Sequence, residues 1–200
     1  VTRNFGSLEV SVISQGYSPT PLQTFLIQPL ASTSALEQRR NVTNFFRALA
    51  LCHTALADRA DPNDPYTIEY KAQSPDEAAL VAAARDVGAV FLNKNNHTID
   101  LEVCGAPERS TPLRVLEFNS TRKRMSVIIR EADGKLLLIC KGADSVIYQR
   151  LRSDHPPDLK AKTQADLEDF ANAGLRTLCI AYRYLEEGEY VEWAKLHDEA

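Results

Sequence analysis

The pattern of apolar and polar positions changes sharply near residue 44. Residues 1–40 are rich in Ser, Thr, Gln and Pro, which predicts a loop with one short extended piece at 25–28. From Asn44 onward, apolar side chains recur at the spacing of one helix face, which predicts a helix. They are Phe45, Phe46, Leu49, Cys52 and Leu56.

A second helix has the clearest local signals. Ser74 is a favoured N-cap residue, and Pro75 suits the first helical position. Glu77 stands where a capping box would place it, three residues after the cap. Strong helix formers follow until Gly88, which is typical of a helix end.

Several short runs rich in Val, Ile and Leu predict strands separated by turn residues such as Asp133-Gly134. Connections this short favour antiparallel pairing, because a parallel crossover needs a dozen or more residues. The predicted strands are 89–92, 98–103, 113–118, 125–130 and 135–140.

Helical and strand patterns alternate in the last third of the chain. Helices are expected at 144–151 and at 159–173, the latter ending at Gly174. A strand at 175–184 and a charged helix at 187–200 complete the pattern. The fold class is therefore α+β, an antiparallel β-sheet flanked by helices.

Composition and charge exclude some functions. The 200 residues carry 23 Lys and Arg against 27 Asp and Glu, a formal net charge of −4, which argues against a nucleic-acid-binding face. The longest clean apolar run, 136–140, is far shorter than the roughly 20 residues that span a bilayer. Four widely spaced cysteines favour a reducing cytosolic setting over a zinc site or a disulfide framework.

Several catalytic motifs are missing from the sequence. None of the eight glycines belongs to a Walker A loop, a dinucleotide-binding G-x-G or a kinase glycine loop. No G-x-S-x-G or Cys/His pairing indicates a nucleophile, and no run of metal ligands occurs. The four histidines stand in unrelated contexts, so each is interpreted as structural or exposed.

Four segments nevertheless stand out. Each has an ordinary structural interpretation by itself: capping acids, a solvated hairpin tip, a strand-exit turn and a strand start. They are SPDEAALVAAAR at 74–85, VLEFNSTRKRMSVIIR at 115–130, LLLICKGADSVIYQRL at 136–151 and GLRTLCIAYR at 174–183.

In this order and spacing, the four segments resemble the nucleotide-binding domain of P-type ATPases. More narrowly, they resemble the type IV, phospholipid-translocating branch, the lipid flippases. FFRALALCHTAL before them and EEGEYVEWAKLHDEA after them fit as well. The resemblance covers 44–200 and implies that 1–43 is a variable, mostly loop segment leading into this domain.

The resemblance implies three contacts to the adenine base. Phe118 of the EFNS phrase would stack its ring on adenine, an interaction worth roughly 1–3 kcal/mol per base in single-stranded nucleic-acid sites. Met125 would pack its polarisable thioether around the purine. Glu77 would accept a hydrogen bond from the adenine amino group.

Three further residues would complete the nucleotide site. Lys141 of the KGAD phrase would line the pocket and offer positive charge toward base and phosphates. Gly142 would let the backbone approach the ring, because it lacks a Cβ. Arg176 would pair with a phosphate, whose oxygens suit its planar fork.

The resemblance also implies how the domain works within a larger protein. It would grip ATP by the adenine and present the γ-phosphate to an aspartate in a D-K-T-G-T motif on a neighbouring domain. That motif does not occur here, so we expect no catalytic residue in this chain, and binding of ATP without hydrolysis. With Mg²⁺ held mainly by the phosphorylation domain, the expected dissociation constant is on the order of 0.1–1 mM.

The implied setting is the cytosolic side of an integral membrane protein in the Golgi, endosomal or plasma membrane. Its partners would be the phosphorylation and actuator domains of the same parent chain and an accessory subunit. Two other functions stay open: an interaction module that shares the fold without binding nucleotide, and a soluble enzyme, for which no catalytic constellation is present.

Overall fold

The computed structural model describes residues 33–59, 61 and 67–199, within which five helices and eight strands occur. The helices are α1 (Thr33–Leu51), α2 (Pro75–Asp86), α3 (Asp144–Tyr148), α4 (Pro157–Asn172) and α5 (Glu187–Asp198). The strands are β1 (Leu56–Arg59), β2 (Ile68–Lys71), β3 (Ala89–Lys94), β4 (Ile99–Val103), β5 (Ala106–Leu116), β6 (Arg124–Arg130), β7 (Leu136–Gly142) and β8 (Cys179–Leu185).

Six strands form one antiparallel sheet in the order β3-β4-β5-β6-β7-β8. Neighbours in sequence are neighbours in space, as the short connections from β3 to β7 require, whereas residues 143–178 with α3 and α4 connect β7 to β8. Strands β1 and β2 form a separate antiparallel pair. The predicted α+β class, with an antiparallel sheet flanked by helices, is confirmed.

The core lies on one face of the sheet, under α1 and α2. Alternation along β6 and β7 places Met125, Val127 and Ile129 opposite Lys141, Ile139 and Leu137 on this face. Leu49 of α1, Val81 of α2 and Phe91 of β3 belong to the same buried cluster. Lys141 therefore occupies a core-facing strand position at the end of the sheet.

The first helix differs from its prediction at both ends. Residues 33–40 are helical, so the loop predicted over 1–40 is wrong there, and the extended piece at 25–28 lies outside the described residues. The helix stops at Leu51, because Leu56 instead pairs with Lys71 across β1 and β2 and is 72% exposed. Cross-strand pairing overrides the helical spacing here, and β2 itself was not predicted.

Three strand boundaries differ where they matter for the site. One is the start of β8, which lies at Cys179 rather than at 175, so Arg176 precedes the strand. Strand β5 ends at Leu116 rather than at 118, because Asn119 closes a turn: its Oδ1 and its carbonyl oxygen accept the Arg122 and Lys123 N–H groups. Strand β7 continues through Gly142, so the Lys141-Gly142 pair is not the strand-exit turn that the sequence favours.

None of the five described helices has both the length and the apolar composition of a membrane-spanning segment.

A buried histidine makes the fold sensitive to pH. His53 follows α1, is 2% exposed, and packs its ring edge-on against Phe91 at a centroid distance of 4.4 Å. Its Nε2 lies 2.9 Å from the Ala50 carbonyl oxygen, to which the neutral ring donates. Burial lowers the pKa of His53 to about 4.

The unfolded chain therefore binds a proton at His53 below about pH 6.5, whereas the folded chain does so only below about pH 4. The stability that depends on neutral His53 should be complete above about pH 6.5 and should fall as the pH decreases toward about 4. Between pH 7 and pH 5 we expect a loss of about 2 kcal/mol in the free energy of unfolding, measured by urea denaturation. The His53→Gln variant, which keeps the donor, should lose most of this pH dependence. Substitution of the exposed His97 by Gln should leave it unchanged, and an unchanged pH dependence in His53→Gln would contradict the assignment.

Candidate functional site

A buried ion pair lies where the core face of the sheet meets the start of α2. Lys141 Nζ and Glu77 Oε1 are 3.4 Å apart, and their side chains are only 9% and 14% exposed. Strand alternation places Lys141 on the core face, and the first turn of α2 carries Glu77 over it. Such a pair persists only when further hydrogen bonds satisfy its charges.

Thr54 supplies those hydrogen bonds to the carboxylate. Its backbone N–H donates to Glu77 Oε1 at 3.2 Å, and its hydroxyl donates to Oε2 at 2.8 Å. Glu77 therefore does not close a capping box, and Ser74 makes no side-chain cap hydrogen bond although it is the N-cap residue. The capping interpretation of Glu77 is wrong because its carboxylate turns toward the sheet.

The electrostatics of Glu77 follow from these contacts. Burial by itself would raise the pKa of the carboxyl group, but the Thr54 hydrogen bonds and the Lys141 charge outweigh it and hold the pKa below its ordinary value. The carboxylate is ionised at neutral pH. A carboxylate offers about four lone-pair sites, so one remains for a further donor.

Phe118 lies exposed in the loop between β5 and β6. Its side chain is 63% exposed, two residues beyond Leu116, which pairs with Ser126. The loop returns to the sheet at Arg124, opposite Gly142, and the Lys123 carbonyl oxygen accepts the Ala143 N–H at 3.1 Å. The Phe118 loop is thus tied to the end of β7 that carries Lys141.

Two other predicted residues are held inside the structure. Met125 pairs with Lys141 across the strands and is 2% exposed within the core cluster. Gly142 pairs with Arg124, and a Cβ at this glycine would lie 2.5 Å from the Lys123 carbonyl oxygen. Glycine is required at this position because the neighbouring strand, β6, approaches it closely.

Arg176 precedes β8 and reaches α2. Its Nη1 lies 2.5 Å from Oδ2 of Asp76, the residue before Glu77, and the arginine side chain is 85% exposed. This guanidinium is held near the ion pair by an exposed contact of little energy. It can exchange Asp76 for another anion at small cost.

The six predicted residues therefore meet the structure in different ways. Glu77 and Lys141 touch each other, and Met125 is the cross-strand neighbour of Lys141. Gly142 continues the same strand, and Arg176 is linked to the start of α2 through Asp76. Within the described part of the chain, Phe118 forms no hydrogen bond or ring contact with these five, and its loop connects it to them.

Two residues that hold the site were missed by the sequence analysis. Thr54 fixes the Glu77 carboxylate, and Asp76 holds Arg176. Asp76 directly precedes Glu77, a predicted site residue, so the sequence motif indicated its position. Thr54 stands 23 residues before Glu77, outside any motif, and gave none.

Comparison with known families gives a match over most of the chain. The family model described as P-type ATPase, cytoplasmic domain N, matches residues 41–199. That range contains every residue of the site described above.

Individual relatives carry the same description more narrowly. The chain is 50% identical over 172 residues to the phospholipid-transporting ATPase DNF1 of Chaetomium thermophilum, covering 86% of this chain and 11% of that protein. It is 47% identical over 161 residues to the phospholipid-transporting ATPase IC of Xenopus tropicalis, covering 80% of this chain and 12% of that protein. The human phospholipid-transporting ATPase IC is 45% identical over 171 residues, covering 86% of this chain and 13% of that protein. The chain thus spans about an eighth of the length of these curated relatives.

Proposed function

Because the chain belongs to the cytoplasmic N-domain family of P-type ATPases, on the phospholipid-transporting side of that family, we propose that it binds ATP through its adenine end. In the parent protein it would present the γ-phosphate to a catalytic aspartate on the phosphorylation domain. The domain would comprise 44–200, with 1–43 leading into it. The parent would be a membrane flippase whose actuator domain and accessory subunit complete its cycle.

One observation supports this proposal most: an exposed aromatic ring and a buried lysine lie at the same end of the sheet without a glycine-rich cradle. Phe118 would stack on the adenine. The Glu77 carboxylate, held by Thr54 and Lys141, would accept a hydrogen bond from the adenine amino group through its remaining lone pair.

The remaining predicted residues would play supporting roles. Met125, which is buried, would form the floor of the slot rather than wrap the purine. Gly142 would keep β6 and β7 close enough to hold that floor in place. Arg176 would leave Asp76 to pair with a phosphate. Lys141 would contribute positive charge beside the base.

Mg²⁺ would arrive with the triphosphate and be held mainly by the phosphorylation domain. Among the described residues, no group of three or more His, Cys, Asp and Glu side chains is placed to hold a metal ion. Two acidic residues of the site, Asp76 and Glu77, are both paired with basic side chains. This chain's contribution would be to position the nucleotide.

Thermal unfolding with and without nucleotide tests the proposal against an interaction module that does not bind ATP. With a dissociation constant on the order of 0.1–1 mM, ATP at about 5 mM should stabilise the fold by about 1–2 kcal/mol. The melting temperature should then rise by about 2–6 °C. An unchanged melting temperature at that concentration would favour the interaction module. ATP hydrolysis by the chain alone would contradict the proposal that catalysis needs the phosphorylation domain.

Removing Arg176 should weaken the binding of ligands that carry phosphates more than the binding of adenosine. The Arg176→Ala variant should bind adenosine as the unmodified chain does but bind ATP roughly tenfold more weakly, because a charge-assisted hydrogen bond to phosphate is lost. Isothermal titration calorimetry with adenosine, ADP and ATP measures the difference. The arginine is exposed, so stability should hardly change.

Arg152 offers a matched control for this experiment. It is also exposed and paired with a nearby aspartate, Asp154, but it lies in the connection between α3 and α4. The Arg152→Ala variant should bind all three ligands normally. Equal weakening of adenosine and ATP in Arg176→Ala would refute the phosphate role.

A further inference from the structure

A groove on the other face of the sheet is separate from the nucleotide slot. Ser126 and Cys140 point into it, on strand positions that alternate with Met125 and Lys141. Helices α3 and α5 contribute its sides, and its volume is about 410 Å³. Cavities of this size hold small organic ligands.

Three arginines converge on this groove without acidic partners. Arg122, Arg124 and Arg150 line it, and within the described part of the chain none of them forms a salt bridge. Their side-chain hydrogen bonds go to backbone carbonyl oxygens, at 2.8, 3.0 and 2.7 Å respectively. Each guanidinium therefore keeps donors for another acceptor, since arginine has five N–H groups.

The three charges repel one another. Burial, followed by the charges of Arg150 and Arg122, lowers the pKa of Arg124. A fourth arginine of the same groove, Arg183, differs because Glu189 neutralises it. An anion bound among the three unpaired guanidiniums would relieve their repulsion.

The walls beside the arginines are apolar and aromatic. Leu116, Ile128 and Leu138 form the strand side of the groove. Tyr190 and Trp193 of α5 form the opposite side, with ring centroids 6.3 Å apart. A ligand that carries an aromatic ring beside its negative charge would satisfy both parts of the groove.

We propose that this groove binds an aromatic phosphate monoester, with the phosphoryl group on Arg122, Arg124 and Arg150 and the ring against Tyr190 and Trp193. A phosphotyrosine side chain of a peptide and a free aryl phosphate present the same chemistry. The site is concave, so a flat bilayer surface does not fit it. The proposal is independent of ATP binding, because the two sites lie on opposite faces of the sheet.

Trp193 makes the test specific, because it is the only tryptophan of the chain and lines the groove. We would titrate the protein with phenyl phosphate and follow tryptophan fluorescence, with phenol and inorganic phosphate as separate arms. The expected result is a saturable change with phenyl phosphate and binding at least about tenfold weaker for either half alone. No saturable change, or equal binding of phenol, would overturn the proposal.

Variants locate the site. Arg124→Gln and Arg150→Gln should each weaken phenyl phosphate at least about tenfold. Arg150 is exposed, so its variant keeps the test valid if Arg124→Gln fails to fold. Arg109→Gln makes the same charge change at an exposed arginine on β5, outside the groove, and should bind normally. Equal weakening by Arg109→Gln would reveal general charge attraction and contradict the site.

Two further arms separate this site from the nucleotide slot and identify its source of phosphate. Phe118→Ala should leave the Trp193 response intact, and loss of the response in that variant would refute a separate site. A phosphotyrosine pentapeptide that binds more tightly than phenyl phosphate would assign the groove to phosphorylated peptides, whereas equal affinity would assign it to free aryl phosphates. Binding of phosphatidylserine vesicles without binding of either ester would contradict both.

Discussion

Replacing Lys141 by Met should lower the free energy of unfolding by about 3 kcal/mol. The variant leaves the Glu77 carboxylate, 14% exposed, without its counter-charge in the low-dielectric end of the core. Removing one partner of a buried pair typically costs about 3–5 kcal/mol, and the two Thr54 hydrogen bonds offset part of that cost here. Urea denaturation at neutral pH measures the loss.

A double-mutant cycle identifies the cause. Glu77→Gln should also destabilise the fold, because it leaves the Lys141 ammonium group buried without a carboxylate. The double variant should recover most of the stability, because it leaves no buried charge without its partner. ATP binding should nevertheless stay weak in the double variant, because the negative charge of the Glu77 acceptor and the positive charge of Lys141 are both gone.

The exposed pair of Lys71 and Asp58 is the matched control. These side chains are 66% and 57% exposed, so Lys71→Met should hardly change the free energy of unfolding. A loss in Lys141→Met as small as that of the control would contradict the buried pair. Additive losses in the double variant would show that the two side chains do not interact.

Replacing Phe118 by Ala should weaken ATP, ADP and adenosine by the same factor. The three ligands share the base, and loss of base–aromatic stacking worth about 1–3 kcal/mol corresponds to a factor of roughly 5–150. The ring is 63% exposed, so the melting temperature of the free protein should hardly change. Calorimetric titration of each ligand gives the three ratios.

Two other variants keep this result interpretable. Phe118→Trp should retain binding, because an aromatic face remains for the base. Leu159→Ala removes an apolar side chain of α4 that is 52% exposed, and it should bind all three ligands normally. A selective loss of ATP but not adenosine in Phe118→Ala would contradict stacking as the role of this ring.

Local signals predicted the parts of the fold that depend on neighbouring residues. The Ser74-Pro75 start and the Gly88 stop of α2 are confirmed, and Gly88 has a φ of +97°, a left-handed conformation that favours glycine. The antiparallel order of β3 to β7 followed from short connections. Glycine also ends α4, where Gly174 has a φ of +77°.

Contacts between distant segments could not be predicted in the same way. Strand β7 continues to Gly142 because it pairs with β6. Lys141, which the sequence places in a turn, is therefore a buried strand residue. Thr54 reaches Glu77 only because α1 and α2 pack together, and no spacing along the chain encodes that contact. The resemblance named the residues of the site, and the fold determines which of them touch.

In the proposed complex, the Phe118 ring and the Lys141 end of β7 form the slot for adenine. Intermolecular nuclear Overhauser effects between bound ATP and the protein test it most directly. We expect contacts from the adenine H2 and H8 protons to the Phe118 ring and to the Lys141 side chain. Adenine contacts to Trp193 alone, or none at several millimolar ATP, would contradict this position of the base.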